Sequence, residues 1–132
     1  MTIRESGIVA GIEWAIVAWA LGFAINTAVA ADYLTSPQWR SLMTVPGGKW
    51  FWTILFGGGA LILAIGLLRP WYFTRGIGLA LGALGCAGIA VFYIIAPLFN
   101  LGPITLGYWP WFLGIGVGLL GAVANWWPIQ WF

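Results

Sequence analysis

The chain has 132 residues, of which 62% are hydrophobic and 6% charged, with a formal net charge of +2 and a mean hydropathy of +0.98. Soluble domains carry roughly 25% charged residues, so eight charges cannot dress the outside of a water-soluble globule and most of this surface must face lipid. The few scattered cations exclude the basic stripe of a nucleic-acid binder.

Continuous apolar runs, rather than alternating ones, argue for helices and against a β-barrel. The sequence predicts an all-α fold, a single polytopic membrane helix bundle with about four transmembrane helices over 8–31, 50–68, 77–96 and 111–127. The first run has features of a secretory signal, with Arg4 ahead of it and Ala28-Val29-Ala30 near its end. It is longer than a signal core of 7–15 residues and contains Glu13, so it is read as a retained membrane helix.

Gly7, Gly11, Ala15, Ala18 and Gly22 share one stripe of the first span, with Ile12, Ile16, Trp19 and Phe23 on a different face suited to lipid. Glu13 is the single acid inside a span. At 1.5 Å per residue it lies roughly 8 Å deep. An intramembrane carboxylate is a candidate cation or proton site; the alternative is a side chain reaching back to the interface, toward Arg4, Arg69 or Arg75. Asn26, Thr27, Asn100 and Asn125 are candidates for interhelical hydrogen bonds.

Between the first two spans, Ser36-Pro37 reads as an N-cap followed by proline at the first helical position. Trp39, Leu42 and Met43 then share a face, and Pro46-Gly47-Gly48 ends the segment. A short helix lying on the membrane surface is one reading and an ordered loop the other. The second span holds Gly57-Gly58-Gly59, a triplet that weakens the helix and marks a kink or a very close contact, with Gly58 taken as its packing residue.

The third and fourth spans carry the same pattern, G-x-x-x-G-x-x-G: Gly78, Gly82, Gly85 and Gly114, Gly118, Gly121. Each set forms a stripe along which two backbones can approach closely. These stripes serve either to seal the four helices or to mate one protomer with another. They outnumber what one four-helix bundle needs, which favours an oligomer or a membrane-protein partner.

Tryptophans cluster at the predicted span ends: Trp50, Trp52, Trp109 and Trp111 at one interface, Trp71, Trp126 and Trp127 at the other. The indole is broad and apolar with one N–H, so it settles at headgroup level. Arg4, Arg69 and Arg75 fall on one side of the membrane and Arg40 and Lys49 on the other, which puts both termini in the cytoplasm by the positive-inside rule.

The sequence has no histidine, a single cysteine (Cys86) in an apolar run, and three acids in separate places. No carboxylate pair, no cysteine–histidine metal set, no nucleophile with its base and no phosphate loop is present. The expectation is a non-enzymatic protein without metal or cofactor, whose partners are the lipid bilayer and other membrane helices.

Ser36-Pro37-Gln38-Trp39, Pro46-Gly47-Gly48-Lys49-Trp50-Phe51-Trp52 and Gly66-Leu67-Leu68-Arg69-Pro70, with the glycine-rich third span, resemble the small four-span holin-like proteins of actinobacterial phages. The resemblance covers about half of the chain. It implies assembly in the bacterial cytoplasmic membrane and a part in timed permeabilisation. Four spans with an acid in the first also resemble small multidrug exporters, in which that acid binds the drug cation or protons. Glu13 is the matching residue, but Gly11-Ile12-Glu13-Trp14-Ala15 departs from their pattern.

Overall fold

The computed structural model describes residues 2–29, 42, 45–95 and 109–130. The described residues form an all-α bundle of four helices: α1 (Gly7–Val29), α2 (Lys49–Leu68), α3 (Tyr72–Ile95) and α4 (Trp109–Trp126). A 3-10 turn, Ile3–Glu5, precedes α1. The expected surface helix after Ser36, the connection 97–108, Arg40 and Asn100 lie outside the described residues.

Among the described residues three helices are long and apolar enough to cross a membrane, with 23, 20 and 24 residues. The fourth has 18 residues, about 27 Å at 1.5 Å per residue, and carries tryptophan, proline and asparagine near its ends.

The helices run alternately up and down. Only residues 69–71 separate α2 from α3, which forces an antiparallel turn; there the Trp71 amide donates to the Gly66 carbonyl at 2.9 Å. At the start of α2, Gly47 and Gly48 have φ of 90° and 56°, a left-handed backbone that favours glycine. Their turn is closed by the Gly48 amide on the Val45 carbonyl at 3.0 Å. Lys49 Nζ donates to the Ala28 carbonyl at 2.9 Å, tying α2 to the carboxyl end of α1. At the opposite end the Ile3 amide donates to the Ile129 carbonyl at 2.8 Å, joining the segments before α1 and after α4.

Helix α1 packs on α2, α2 on α3 and α3 on α4. The core between them is thin: Val17, Ala20 and Ala24 of α1, Phe56, Ala60 and Leu63 of α2, Leu79 and Ile89 of α3, Ala122 of α4. Large apolar side chains instead cover the outside, among them Ile8, Ile54, Phe73 and Leu120, each about 70% exposed. Such a surface is stable where lipid is the solvent, because lipid tails are as apolar as leucine and outward burial gains nothing.

Two boundaries move from the sequence reading. Helix α3 begins at Tyr72 instead of residue 77. Arg75 and its neighbours broke the apolar run, yet the arginine is satisfied inside the bundle and the helix runs through it. Helix α4 begins at Trp109, with Pro110 in its first turn, where a missing N–H breaks no intrahelical bond.

Candidate functional site

The strongest chemistry lies where the termini meet. Glu13 of α1, Arg75 in the first turn of α3 and Asn125 in the last turn of α4 are 2%, 4% and 0% exposed. Arg75 Nε donates to Glu13 Oε2 at 2.8 Å, and Arg75 Nη2 donates to the same oxygen. Asn125 Nδ2 donates to Glu13 Oε1 at 2.6 Å and to the Gly121 carbonyl of its own helix at 2.9 Å. Both carboxylate oxygens are therefore held by donors from other helices.

The network continues to the 3-10 turn. Arg75 Nη1 donates to the Arg4 carbonyl at 3.0 Å, and Arg4 Nη1 donates to the Asn125 carbonyl at 3.2 Å. The Arg4 guanidinium lies 4.4 Å from the centre of the Tyr72 ring and that of Arg75 5.2 Å from it. Charge-assisted bonds of this kind are roughly twice as strong as neutral ones. They also offset the several kcal/mol of desolvation that each buried charge costs.

Glycine makes room for the network. A Cβ on Gly66 would sit 2.7 Å from the Arg75 amide nitrogen, and one on Gly76 would sit 2.0 Å from Trp126 Nε1. Sequence reasoning gave neither glycine a packing role. A signal was available: Gly66 and Gly76 flank the short charged turn, and Gly76 follows the arginine directly.

Of the two readings of Glu13, the geometry is that of a side chain paired with a cation of the same membrane end, specifically Arg75. Asn125 makes the interhelical bond anticipated for it. Asn26 is exposed, and Thr27 Oγ1 donates to the Phe23 carbonyl within α1 at 2.8 Å.

The named glycines divide into packed and open positions. A Cβ on Gly78 would lie 2.7 Å from the Leu63 amide nitrogen, and one on Gly85 2.7 Å from the Phe56 ring. A Cβ on Gly114 would lie 2.5 Å from Cys86 Sγ, on Gly118 2.8 Å from Ala83 Cβ, and on Gly121 2.9 Å from Leu79. Gly11, Gly22, Gly58 and Gly82 have no neighbour within 4 Å of such a position. Within the Gly57-Gly58-Gly59 triplet it is Gly59 that comes close to the Gly78 carbonyl at the α2–α3 crossing.

Helix α1 turns a third face, Glu13, Val17, Ala20, Ala24 and Thr27, into the core. Its small stripe, Gly7, Gly11, Ala15, Ala18 and Gly22, turns away from the core, and all but the partly covered Gly22 are exposed. Its bulky side chains turn toward α4 instead. Ile12, Ile16 and Trp19 face Leu113 and Val117 across an apolar groove of about 410 Å³. Trp19 and Phe23 reach the Trp111 ring at 5.8 and 5.6 Å and join α1 to α4 at the groove's far end. Trp19 and Phe23 of the face assigned to lipid thus pack on other rings, because aromatic pairs at this spacing attract, while Ile12 and Trp19 keep about half of their surface exposed.

The tryptophans split likewise. Trp50, Trp71, Trp109 and Trp127 are more than half exposed and Trp126 is 37% exposed. Trp52 is not a headgroup anchor: it is 3% exposed and its Nε1 donates to the Leu42 carbonyl at 2.7 Å. Trp111 belongs to the aromatic cluster with Trp19, Phe23 and Phe56. In both cases a protein partner replaces the headgroup as the place for the ring.

Among the described residues no group of three acids, cysteines or histidines could hold a metal ion. No protein-family model, curated protein or solved structure matches the chain.

Proposed function

We propose that this small polytopic membrane protein acts by assembling with copies of itself through the outer face of α1, and that the assembly permeabilises a bacterial cytoplasmic membrane in the manner of a holin. The observation that carries the proposal is the outward stripe of Gly7, Gly11, Ala15, Ala18 and Gly22. Small residues let two membrane helices approach closely enough for dispersion and weak polar contacts to hold them. Gly78, Gly85, Gly114, Gly118 and Gly121 are spent inside the protomer, whereas Gly7, Gly11 and Gly22 meet nothing within 4 Å there. Holin-like action follows from the resemblance rather than from the geometry. Arg4 and the exposed Arg69 share the end at which the segments flanking α1 and α4 meet, and we assign that end to the cytoplasm.

Cysteine crosslinking tests the assembly. In a Cys86→Ala background, Ala18→Cys should form a disulfide-linked dimer in oxidised membranes. Ile54→Cys, exposed on α2, should not. Timed induction in bacteria should then collapse the membrane potential at a set moment. Normal growth at full potential ends the permeabilisation reading.

A second reading is an accessory or exclusion subunit that binds a larger membrane protein. It is favoured by the outer surface itself: Ile54, Leu61, Leu113 and Leu120 present apolar side chains to their surroundings, a surface suited to another helix and not to a water-filled path. Recovery of a distinct membrane protein in fixed ratio from mild detergent supports it. Transport through Glu13 loses ground on the same structure, since Arg75 and Asn125 already occupy both carboxylate oxygens.

A further inference from the structure

Arg4 and Arg75 share Tyr72 but differ in what they hold. Arg75 turns its Nε and Nη2 onto the Glu13 carboxylate. Arg4 uses Nη1 alone, on the Asn125 carbonyl. Its Nε is buried without a hydrogen-bond partner, and no carboxylate among the described residues pairs with it. The Nε–Nη2 edge of a guanidinium is the edge that grips an oxyanion in two parallel bonds. In Arg75 that edge is filled by this chain's own acid. In Arg4 it is unfilled.

The surroundings fit an anion delivered at headgroup level. Arg4 lines a recess of about 400 Å³ with Tyr72, Phe73, Asn125, Trp126 and Trp127. The two tryptophans mark the membrane–water boundary. The amino end of α3, with the positive end of its dipole, opens there at Tyr72 and Phe73. The opposing negative end of α4 is already engaged, because the Asn125 carbonyl accepts from Arg4. Glu13 is the nearest buried acid, and its charge is neutralised by Arg75. Tyr72 holds the Arg4 guanidinium in place by its ring face, so little side-chain entropy remains to be lost on binding.

We propose that this recess binds a phosphate oxyanion, and that the phosphate is that of an anionic phospholipid headgroup. A basic pocket between membrane helices at the level of the headgroups is the usual form of such a site.

The test uses the full chain in nanodiscs of phosphatidylcholine doped with phosphatidylglycerol, followed by native mass spectrometry of the retained lipid. The wild type should keep one phosphatidylglycerol with a preference of about tenfold over phosphatidylcholine, the worth of one charge-assisted bond. Arg4→Gln should remove that preference. Arg69→Gln, an exposed arginine at the same membrane end, should keep it. Equal losses in both variants would reduce the effect to general surface charge and overturn the site, as would full retention in Arg4→Gln. Arg4→Lys preserves the charge but not the two-pronged edge, so it guards against a folding artefact. It should recover only part of the preference, and complete recovery would overturn the role given to that edge. Inorganic phosphate added to the wild type separates the sources: no displacement supports the lipid, and displacement at millimolar concentration overturns the lipid assignment in favour of the free ion.

Discussion

Arg75 and Glu13, 62 residues apart in the chain, meet as a buried ion pair that closes α3 against α1 at one end of the bundle. Helix α1 packs chiefly on α2, and this pair and the Asn125 bond are polar links that tie the first helix to the last two.

Removing one partner should therefore cost more than removing both. Glu13→Gln leaves Arg75 buried without its counter-charge and is expected to destabilise the bundle by roughly 3–5 kcal/mol. Glu13→Gln combined with Arg75→Met should recover much of that loss. Unfolding in detergent, read by circular dichroism for both singles and the double variant, measures the coupling.

Asn125→Leu should cost about 1.5–3 kcal/mol, the worth of a hydrogen bond to a charged group. Asn125→Asp should be worse, because it sets a second carboxylate against Glu13 Oε1, where the amide now donates. Thermal melts of the two variants side by side decide it; equal stability would mean that the Asn125 contact is incidental.

Gly78→Ala places a methyl 2.7 Å from the Leu63 amide nitrogen, a backbone atom that cannot step aside cheaply. The helices must part, at a cost of about 1–3 kcal/mol. Gly11→Ala meets no atom within 4 Å, and protomer stability should change by less than about 0.5 kcal/mol. The same Gly11→Ala, or more strongly Gly11→Leu, should reduce crosslinking through Ala18→Cys if copies meet along that stripe.

Trp52→Phe deletes the donor to the Leu42 carbonyl while keeping a ring in the core. Leaving that carbonyl unpaired should cost about 1–3 kcal/mol. Trp50→Phe, at a position 53% exposed, should be nearly neutral. Melts of both variants separate a core tryptophan from an interfacial one that the sequence presents identically.

Much of the site was visible as residue types and little of it as pairings. Glu13 stood out because an acid in an apolar run is costly, and Arg75 was among three arginines named as possible partners. Its choice over Arg4 and Arg69 depends on α3 starting a turn early and on Gly66 opening the space. Those are contacts between helices, which periodicity along one helix does not encode.

Composition alone decided that lipid is the solvent, since a chain with so few charges has no other way to satisfy its surface, and run length decided that the lipid is met by helices. Spacing alone placed the glycines of α3 and α4 on stripes, because 3.6 residues per turn leaves no alternative. Tertiary structure decided which way each stripe points. In a membrane both the lipid face and the packed face of a helix are apolar, so the inward and outward sides of α1 look alike until neighbouring helices, their ring contacts and one buried ion pair fix its rotation.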